Sequence, residues 1–320
     1  MVSILLIVMM HVCSLVGYTD ASVMNKIWLG AINAIGNCGV SCFILISGYY
    51  GVRFNKRKFL YLAILTTIYA LIVALLNDGF CVKTCLKAAL CIPLYNNWFV
   101  ICYLIVMLLS PYINKMVNIL SKQDFKKMLF LLIIVLSVIP TLFYYPSVNG
   151  VILSQGGKCL SYFLFIYLMG RYIRLHHDFN LHEKRNGIAL AGGGVVFAFL
   201  FTLVLVLAAS HFSHQRFFIY SFDNSITILI QSILLFYIAK SYRFHSPIIN
   251  RIAASVFAVY VLNDAYKYVD RMLFHVETMS SEWYYILAVL AESLFMFVAA
   301  FLIDQVVGRL VKRCVGLDVV

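Results

Sequence analysis

Residues 188–209 read IALAGGGVVFAFLFTLVLVLAA, 22 consecutive positions without a charged side chain. A helix of that length rises about 33 Å, enough to cross a hydrocarbon layer of about 30 Å. A helix on a soluble protein would carry a polar outer face instead. Nine further apolar runs flank this one: Val2–Tyr18, Ala31–Tyr50, Phe59–Leu76, Trp98–Ile113, Met128–Phe143, Leu160–Ile173, Ile226–Ile238, Ile252–Val269 and Trp283–Ile303. The fourth, sixth and eighth runs in chain order need extension at the interface to cross. The pattern predicts an all-α, polytopic membrane helix bundle of about ten transmembrane helices. It forms a single transmembrane domain over residues 1–320, because no loop is long enough to build a soluble core. No internal repeat or low-complexity tract is present. The first run has no basic start or small-residue cleavage site, so it is read as a span rather than a cleaved signal peptide.

Composition agrees with that class. Of 320 residues, 63% are apolar and 12% charged, against roughly 25% charged in a soluble domain. The mean hydropathy is +0.93. A disordered chain, a disulfide scaffold and an ordinary cytosolic enzyme are excluded. The nine cysteines have no metal-ligand spacing and are expected to be small, buried, reduced thiols; no metal is expected. The formal charge is +12, yet the cations fall in short clusters between apolar runs. That placement points to the lipid bilayer as partner and not to nucleic acid.

The same clusters predict orientation. With a cytoplasmic N-terminus, 18 of the 25 Lys and Arg fall inside: Arg53, Lys56, Arg57, Lys58, Lys115, Lys122, Lys126, Lys127, Arg171, Arg174, Lys184, Arg185, Lys240, Arg243, Arg251, Arg309, Lys312 and Arg313. The remaining seven, Lys26, Lys83, Lys87, Lys158, Arg216, Lys267 and Arg271, fall outside. The excess recurs at every inside loop and predicts a multi-pass protein of the cell (inner or cytoplasmic) membrane, with both termini cytoplasmic.

Chemistry must then come from polar residues within or beside the spans. His11 lies about 15 Å of helical rise from Met1, near mid-membrane. It shares a stripe with Ser3, Ile7, Ser14 and Tyr18 that is expected to face the bundle interior. An ionisable residue inside a membrane is a functional candidate by default; the plainer reading is a neutral His satisfied by a helix–helix hydrogen bond. Gly39, Ser47 and Gly48 allow close helix approach. Arg53, Lys56, Arg57 and Lys58 either set topology or form an anion site for a phosphate-bearing cofactor. Trp98 fits an interfacial aromatic, Tyr103 lies deeper, and Pro111 is expected to mark a helix end. Tyr260, Asn263, Asp264, Lys267 and Asp270 recur at helical spacing, where Asp264 and Lys267 could simply pair. Glu292 lies mid-span, where a carboxylate must be paired, protonated or in a water cavity; no motif assigns it a role. His176, His177, Asp178, His182 and Glu183 lie in a loop expected to be solvated and basic.

Taken in order, these residues make the chain similar to the membrane-bound acyltransferase 3 family, which includes surface-polysaccharide O-acetyltransferases. A His ends LLIVMMH at His11. Phe43-Ile44-Leu45-Ile46-Ser47-Gly48 resembles the family's F-F-x-x-S-G, with Ile44 in place of the second Phe. A basic cluster follows at Arg53–Lys58. Then come W-F-x-x-x-Y at Trp98, Phe99 and Tyr103, L-L-S-P-Y-I-N-K, and YLMGRYIR at Tyr167–Arg174. Two departures stand out. The cation usual before the His, ten residues intervening, would fall one position upstream of Met1, so a longer, basic N-terminus is expected. Asn263 stands where a His is common. The resemblance implies an integral membrane O-acyltransferase that moves an acyl group, with acetyl the first expectation, from acyl-CoA to a hydroxyl of a cell-surface or lipid-linked glycan. By the same resemblance, His11 is the general base and Arg53, Lys56, Arg57 and Lys58 hold the phosphates of acetyl-CoA or another acyl-CoA. Ser14, Ser47, Gly48, Trp98, Tyr103, Tyr260 and Asn263 contact substrate or support the site. The alternative is a membrane exporter or transporter of a polysaccharide or sugar, with His11 in the permeation path.

Overall fold

A computed structural model describes residues 2–90, 97–143, 155–212, 217–242 and 245–317. Cys91, Arg216 and Arg243, which figure in the cysteine and charge readings, lie outside the described residues. Helices dominate and no strand occurs among the described residues. They are α1 Val2–Cys13, α2 Val23–Gly36, α3 Cys38–Tyr50, α4 Lys56–Asp78, α5 Val82–Leu90, α6 Trp98–Ile119, α7 Lys122–Ile133, α8 Ile139–Leu142, α9 Leu160–His176, α10 Gly187–Phe212, α11 Ile226–Ser241, α12 Pro247–Ala254, α13 Val256–Leu262, α14 Tyr266–Val269 and α15 Tyr285–Val315. Among the described residues, eight segments are long and apolar enough to cross a membrane. Shorter helices, α1 and α9, occupy the first and sixth expected positions. The chain is thus an all-α, multi-pass membrane protein.

Several boundaries differ from the expected runs. The first run was expected to continue to Tyr18, but α1 ends at Cys13, about 18 Å of rise. The hydroxyl of Ser14 takes up the His11 carbonyl at 2.6 Å, and the Tyr285 hydroxyl takes up the Cys13 carbonyl at 3.2 Å. Those bonds satisfy carbonyls that a longer helix would have used. The second run starts earlier: Val23–Tyr50 forms a single span. Pro111 does not end α6, which runs on to Ile119; membrane helices tolerate an internal proline when neighbours supply the lost bond. The ninth run is interrupted rather than continuous. It passes from α12 through α13, a 3-10 turn at Asn263–Ala265, α14 and a π-turn at Asp270–Phe274. The tenth extends to Val315. An additional short helix, α5, follows α4 and packs Ala88 against Ala70 and Ala74.

The chain divides into two compact units. Unit 1 holds residues 1–25, 53–108 and 245–320; unit 2 holds 26–52 and 109–244. In unit 1, α15 presents a buried stripe of Tyr285, Val289, Glu292, Ser293, Met296, Ala300, Asp304, Gly308 and Val311, at the three- and four-residue spacing of one helix face. The Tyr69 hydroxyl of α4 donates to Asp304 at 2.7 Å.

Unit 2 is built around α3 and α9. A Cβ at Gly48 would collide with the Tyr167 backbone, and one at Gly170 with Leu45 and Tyr49 of α3. Only glycines let these backbones come so close. Where α3 stops at Gly51 (φ 75), Tyr167 and Asn114 secure the chain. The Val52 N–H donates to the Tyr167 hydroxyl at 3.1 Å, and Asn114 donates to the Val52 carbonyl at 3.0 Å. Pro140 has no N–H for the Leu136 carbonyl one turn back; Asn224 Nδ2 donates to that carbonyl at 3.2 Å instead.

Candidate functional site

The expected base sits at the C-terminal end of α1, in unit 1. His11 is half-buried, and its ring meets Tyr266 edge-on at 5.8 Å between centroids. Tyr266 opens α14, just after the 3-10 turn. The same turn holds Asn263, 2% exposed, whose Oδ1 is buried without a partner. Phe99 at the start of α6 packs on Tyr260 of α13 at 5.1 Å, and Trp98 lies edge-on to Phe99. Tyr103 is half-buried farther along α6. The structure therefore brings His11 to Tyr266, three residues after Asn263, and Trp98 and Phe99 to Tyr260. Both groups include the interrupted segment from α12 to the π-turn. Helix ends and 3-10 turns expose backbone polar groups, and at membrane depth such backbone persists only inside protein or beside a wet cavity.

The polar stripe through His11 is corrected. The buried face of α1 is Ile4, Ile7, Val8, Val12 and Cys13, while Ser14 is exposed beyond the helix end. Ser14 is thus a cap on the His11 carbonyl and not a member of an interior stripe.

The cationic cluster lies at the other end of α4. Arg53 and the first-turn residues Lys56, Arg57 and Lys58 are all exposed. Asn55 caps the helix by accepting from the Lys58 N–H at 3.0 Å, and Arg57 reaches the Gly316 carbonyl at 3.1 Å. Asn77, near the C-terminal end of α4, donates to the Asp264 carbonyl at 2.9 Å, two residues from the tyrosine that meets His11. The rise from Lys56 to Asn77 is about 32 Å. His11 and the cations are therefore not neighbours; they sit toward opposite ends of α4.

Besides Asp304, Glu292 and Asp270 are buried acids of unit 1. Glu292 is fully buried, and the carboxyl group that acts on it is that of Asp270. Asp270 itself accepts from the Val276 N–H at 2.5 Å and the Glu277 N–H at 3.3 Å, which pins the π-turn. The ammonium of Lys267 lies 5.9 Å over the ring of its neighbour Tyr266. Asp304 was missed in the sequence because the tenth run was ended at Ile303. Its signal was an acid directly continuing an apolar run.

Ser47 and Gly48 fall in unit 2. Ser47 bonds back to the Phe43 carbonyl at 2.9 Å, and Gly48 is the close approach to α9. Both support packing. The loop after α9 is also corrected: it is pinned, not simply solvated. Asp178 accepts from Arg174 and Lys240, each at 2.5 Å, and from Tyr49 at 2.7 Å. Burial works against its charge, but these donors and cations more than offset it and hold the carboxyl below its usual range. The cysteine expectation holds in part. Cys13, Cys38, Cys42 and Cys102 are buried free thiols, whereas Cys81 and Cys314 are exposed. Lying in the turn leading into α5 and on the last turn of α15, these two have no packed neighbour helix to cover them.

A family model described as an acyltransferase domain, that of acyltransferase 3, matches residues 1–305. The chain belongs to that family. No curated protein matches, and no solved structure matches. As a member of acyltransferase 3, the chain is a membrane acyltransferase, and the match spans His11, the Arg53–Lys58 cluster and the interrupted segment alike.

Proposed function

We propose that this acyltransferase 3 member moves an acyl group, acetyl in the first instance, from acyl-CoA to a hydroxyl of a cell-surface or lipid-linked glycan. The observation that carries the reading is a histidine at an α1 helix end, beside an interrupted membrane helix, within a family-wide match. Neutral imidazole accepts a proton near physiological pH. His11 takes the proton of the acceptor hydroxyl, whose oxygen attacks the thioester carbonyl. The C–S bond breaks as the ester forms, and the departing thiolate is protonated to the thiol.

Arg53, Lys56, Arg57 and Lys58 suit the donor's phosphates. Three of them lie on the first turn of α4, where cations oppose the helix dipole. They do not stabilise the helix, but an anion there meets both cations and free N–H groups. In this reading the phosphates sit at the Lys56 end of α4, with the pantetheine arm directed along the helix toward the His11 side. Trp98, Tyr103, Tyr260 and Asn263 line the acceptor's approach. We place the protein in the cell membrane with both termini cytoplasmic, on the charge asymmetry of the loops.

Mass spectrometry of surface glycans with and without the gene tests the activity. An acetyl-sized mass difference on intact chains is expected. Loss of surface glycan without any change in its acylation would support export and overturn the reading. Reporter fusions after Lys58 and after Arg313 should read cytoplasmic, and one within residues 78–87 external; a cytoplasmic signal there would reverse the orientation.

A further inference from the structure

Unit 2 carries a second cationic group that acyl transfer does not use. Phe125 on the first turn of α7 is fully buried, edge-on to Tyr172 at 5.2 Å and to His176 at 6.2 Å. Tyr172 in turn meets His176 at 5.1 Å and His177 at 5.2 Å. This aromatic contact joins the start of α7 to the end of α9. Lys122 and Lys126, three residues before and one after Phe125, flank it and are exposed, as are His177 and Lys184. Lys184 lies 4.3 Å over the Phe179 ring in the loop that follows.

Two of the three acids nearby are already engaged, and the third, Glu183 beside Lys184, is exposed. Asp124 is held by the Ser121 hydroxyl at 2.7 Å, and Asp178 by Arg174 and Lys240. The other four basic side chains act on His177. Burial, then the charges of Lys122, His176, Lys126 and Lys184, hold the His177 imidazole below its usual range. The group sits where the candidate membrane span Lys122–Leu142 begins, the end of a spanning helix that meets headgroups. Exposed apolar side chains adjoin the group: Phe130 and Leu131, one turn beyond Lys126 on α7, are each 61% exposed, and Leu175, next to His176, is 42% exposed.

We propose that Lys122, Lys126, His176, His177 and Lys184 bind the phosphate of an anionic phospholipid headgroup, with the acyl chains lying along Phe130, Leu131 and Leu175. Basic pockets between membrane helices recognise such headgroups. The adjoining apolar surface favours a lipid over a free phosphate. The site is independent of the acyltransferase reading and stands or falls separately from it.

Native mass spectrometry of the full chain in detergent, offered phosphatidylglycerol and phosphatidylcholine together, tests it. The unaltered protein should retain phosphatidylglycerol preferentially. Replacing Lys122, Lys126 and Lys184 together by Gln should weaken that retention on the order of a hundredfold, about fivefold for each lysine. Lys115→Gln, a cation of unit 2 outside the group, should leave it unchanged. A bound anion relieves the repulsion on His177, so retention should strengthen as pH falls below the ordinary imidazole value of 6.5. Melting in detergent shows whether the triple variant folds; the replaced lysines are exposed, so its melting should match the unaltered protein. No preference for the anionic lipid, or equal retention by the folded triple variant, overturns the proposal. Displacement by millimolar inorganic phosphate would assign the cations to a soluble phosphate and would overturn the lipid assignment.

Discussion

The α3–α9 pair of unit 2 and the α1 region of unit 1 use their motif residues in opposite ways. In the first, Gly48 and Gly170 bring two backbones into contact, and Tyr167 and Asn114 satisfy the backbone where α3 stops. In the second, helices stop inside the unit. α1 ends at Cys13, the segment from Pro247 to Phe274 breaks repeatedly, and Asn263 keeps a buried Oδ1 without a partner. Close packing in lipid rewards van der Waals contact and completed hydrogen bonds. A site that must bind and release polar substrates needs polar groups not already used. The resemblance motifs therefore divide into a scaffold pair and a chemical group, although the sequence presents them as one series.

The largest expected effect comes from the chemical group. His11→Ala should cost a hundredfold or more in acyl transfer, the usual scale for a general base, with the protein still inserted in the membrane. His11→Gln should fail equally, because an amide does not accept the proton. Turnover assays on both variants check this; substantial activity in His11→Gln would make the residue a positioning group.

Next is the donor end of α4. Replacing Arg53 and Arg57 together by Gln should weaken acyl-CoA binding about tenfold while leaving acceptor affinity nearly unchanged, since each exposed charge contact is modest. Donor binding to the unaltered protein should also fall with added salt. Titration of both substrates reads the difference. Equal weakening of both would remove the division of labour along α4.

The scaffold pair should respond in stability and not in chemistry. Gly170→Leu drives side-chain atoms into α3 and should cost about 1–3 kcal/mol, seen as a lower melting temperature in detergent. Activity per folded molecule should be retained. A loss of turnover without loss of stability would place the α3–α9 contact within the site.

The smallest effect concerns Asp178. Its carboxyl is held below the usual range, so its contribution is fully present above the ordinary value of 3.8. That contribution is lost as pH falls through the lower folded value. Hydrogen exchange of amides 177–184 should speed up only at the acid end of that window. Asp178→Asn should show fast exchange at every pH.

Most of the spans could be read directly, because long uncharged runs permit few alternatives in water. The end of α1 could not. Ser14 looks like one more small polar residue on a helical stripe, and only the Tyr285 hydroxyl, 272 positions away, shows where the Cys13 carbonyl is satisfied. The break at Asn263 was equally hidden, since Tyr260, Asn263, Asp264 and Lys267 keep regular spacing in the sequence while the backbone tightens into a 3-10 turn. Asp304 was lost to a span ended too early.

Hydrophobicity is a local and additive property, so the sequence by itself determined the all-α membrane class, the approximate spans and the residues worth suspecting. Helix ends, close backbone approaches and the pairing of buried polar groups depend on which distant side chain supplies a donor or leaves room. Those contacts, between α3 and α9, Tyr285 and Cys13, and His11 and Tyr266, were decided only by the tertiary structure.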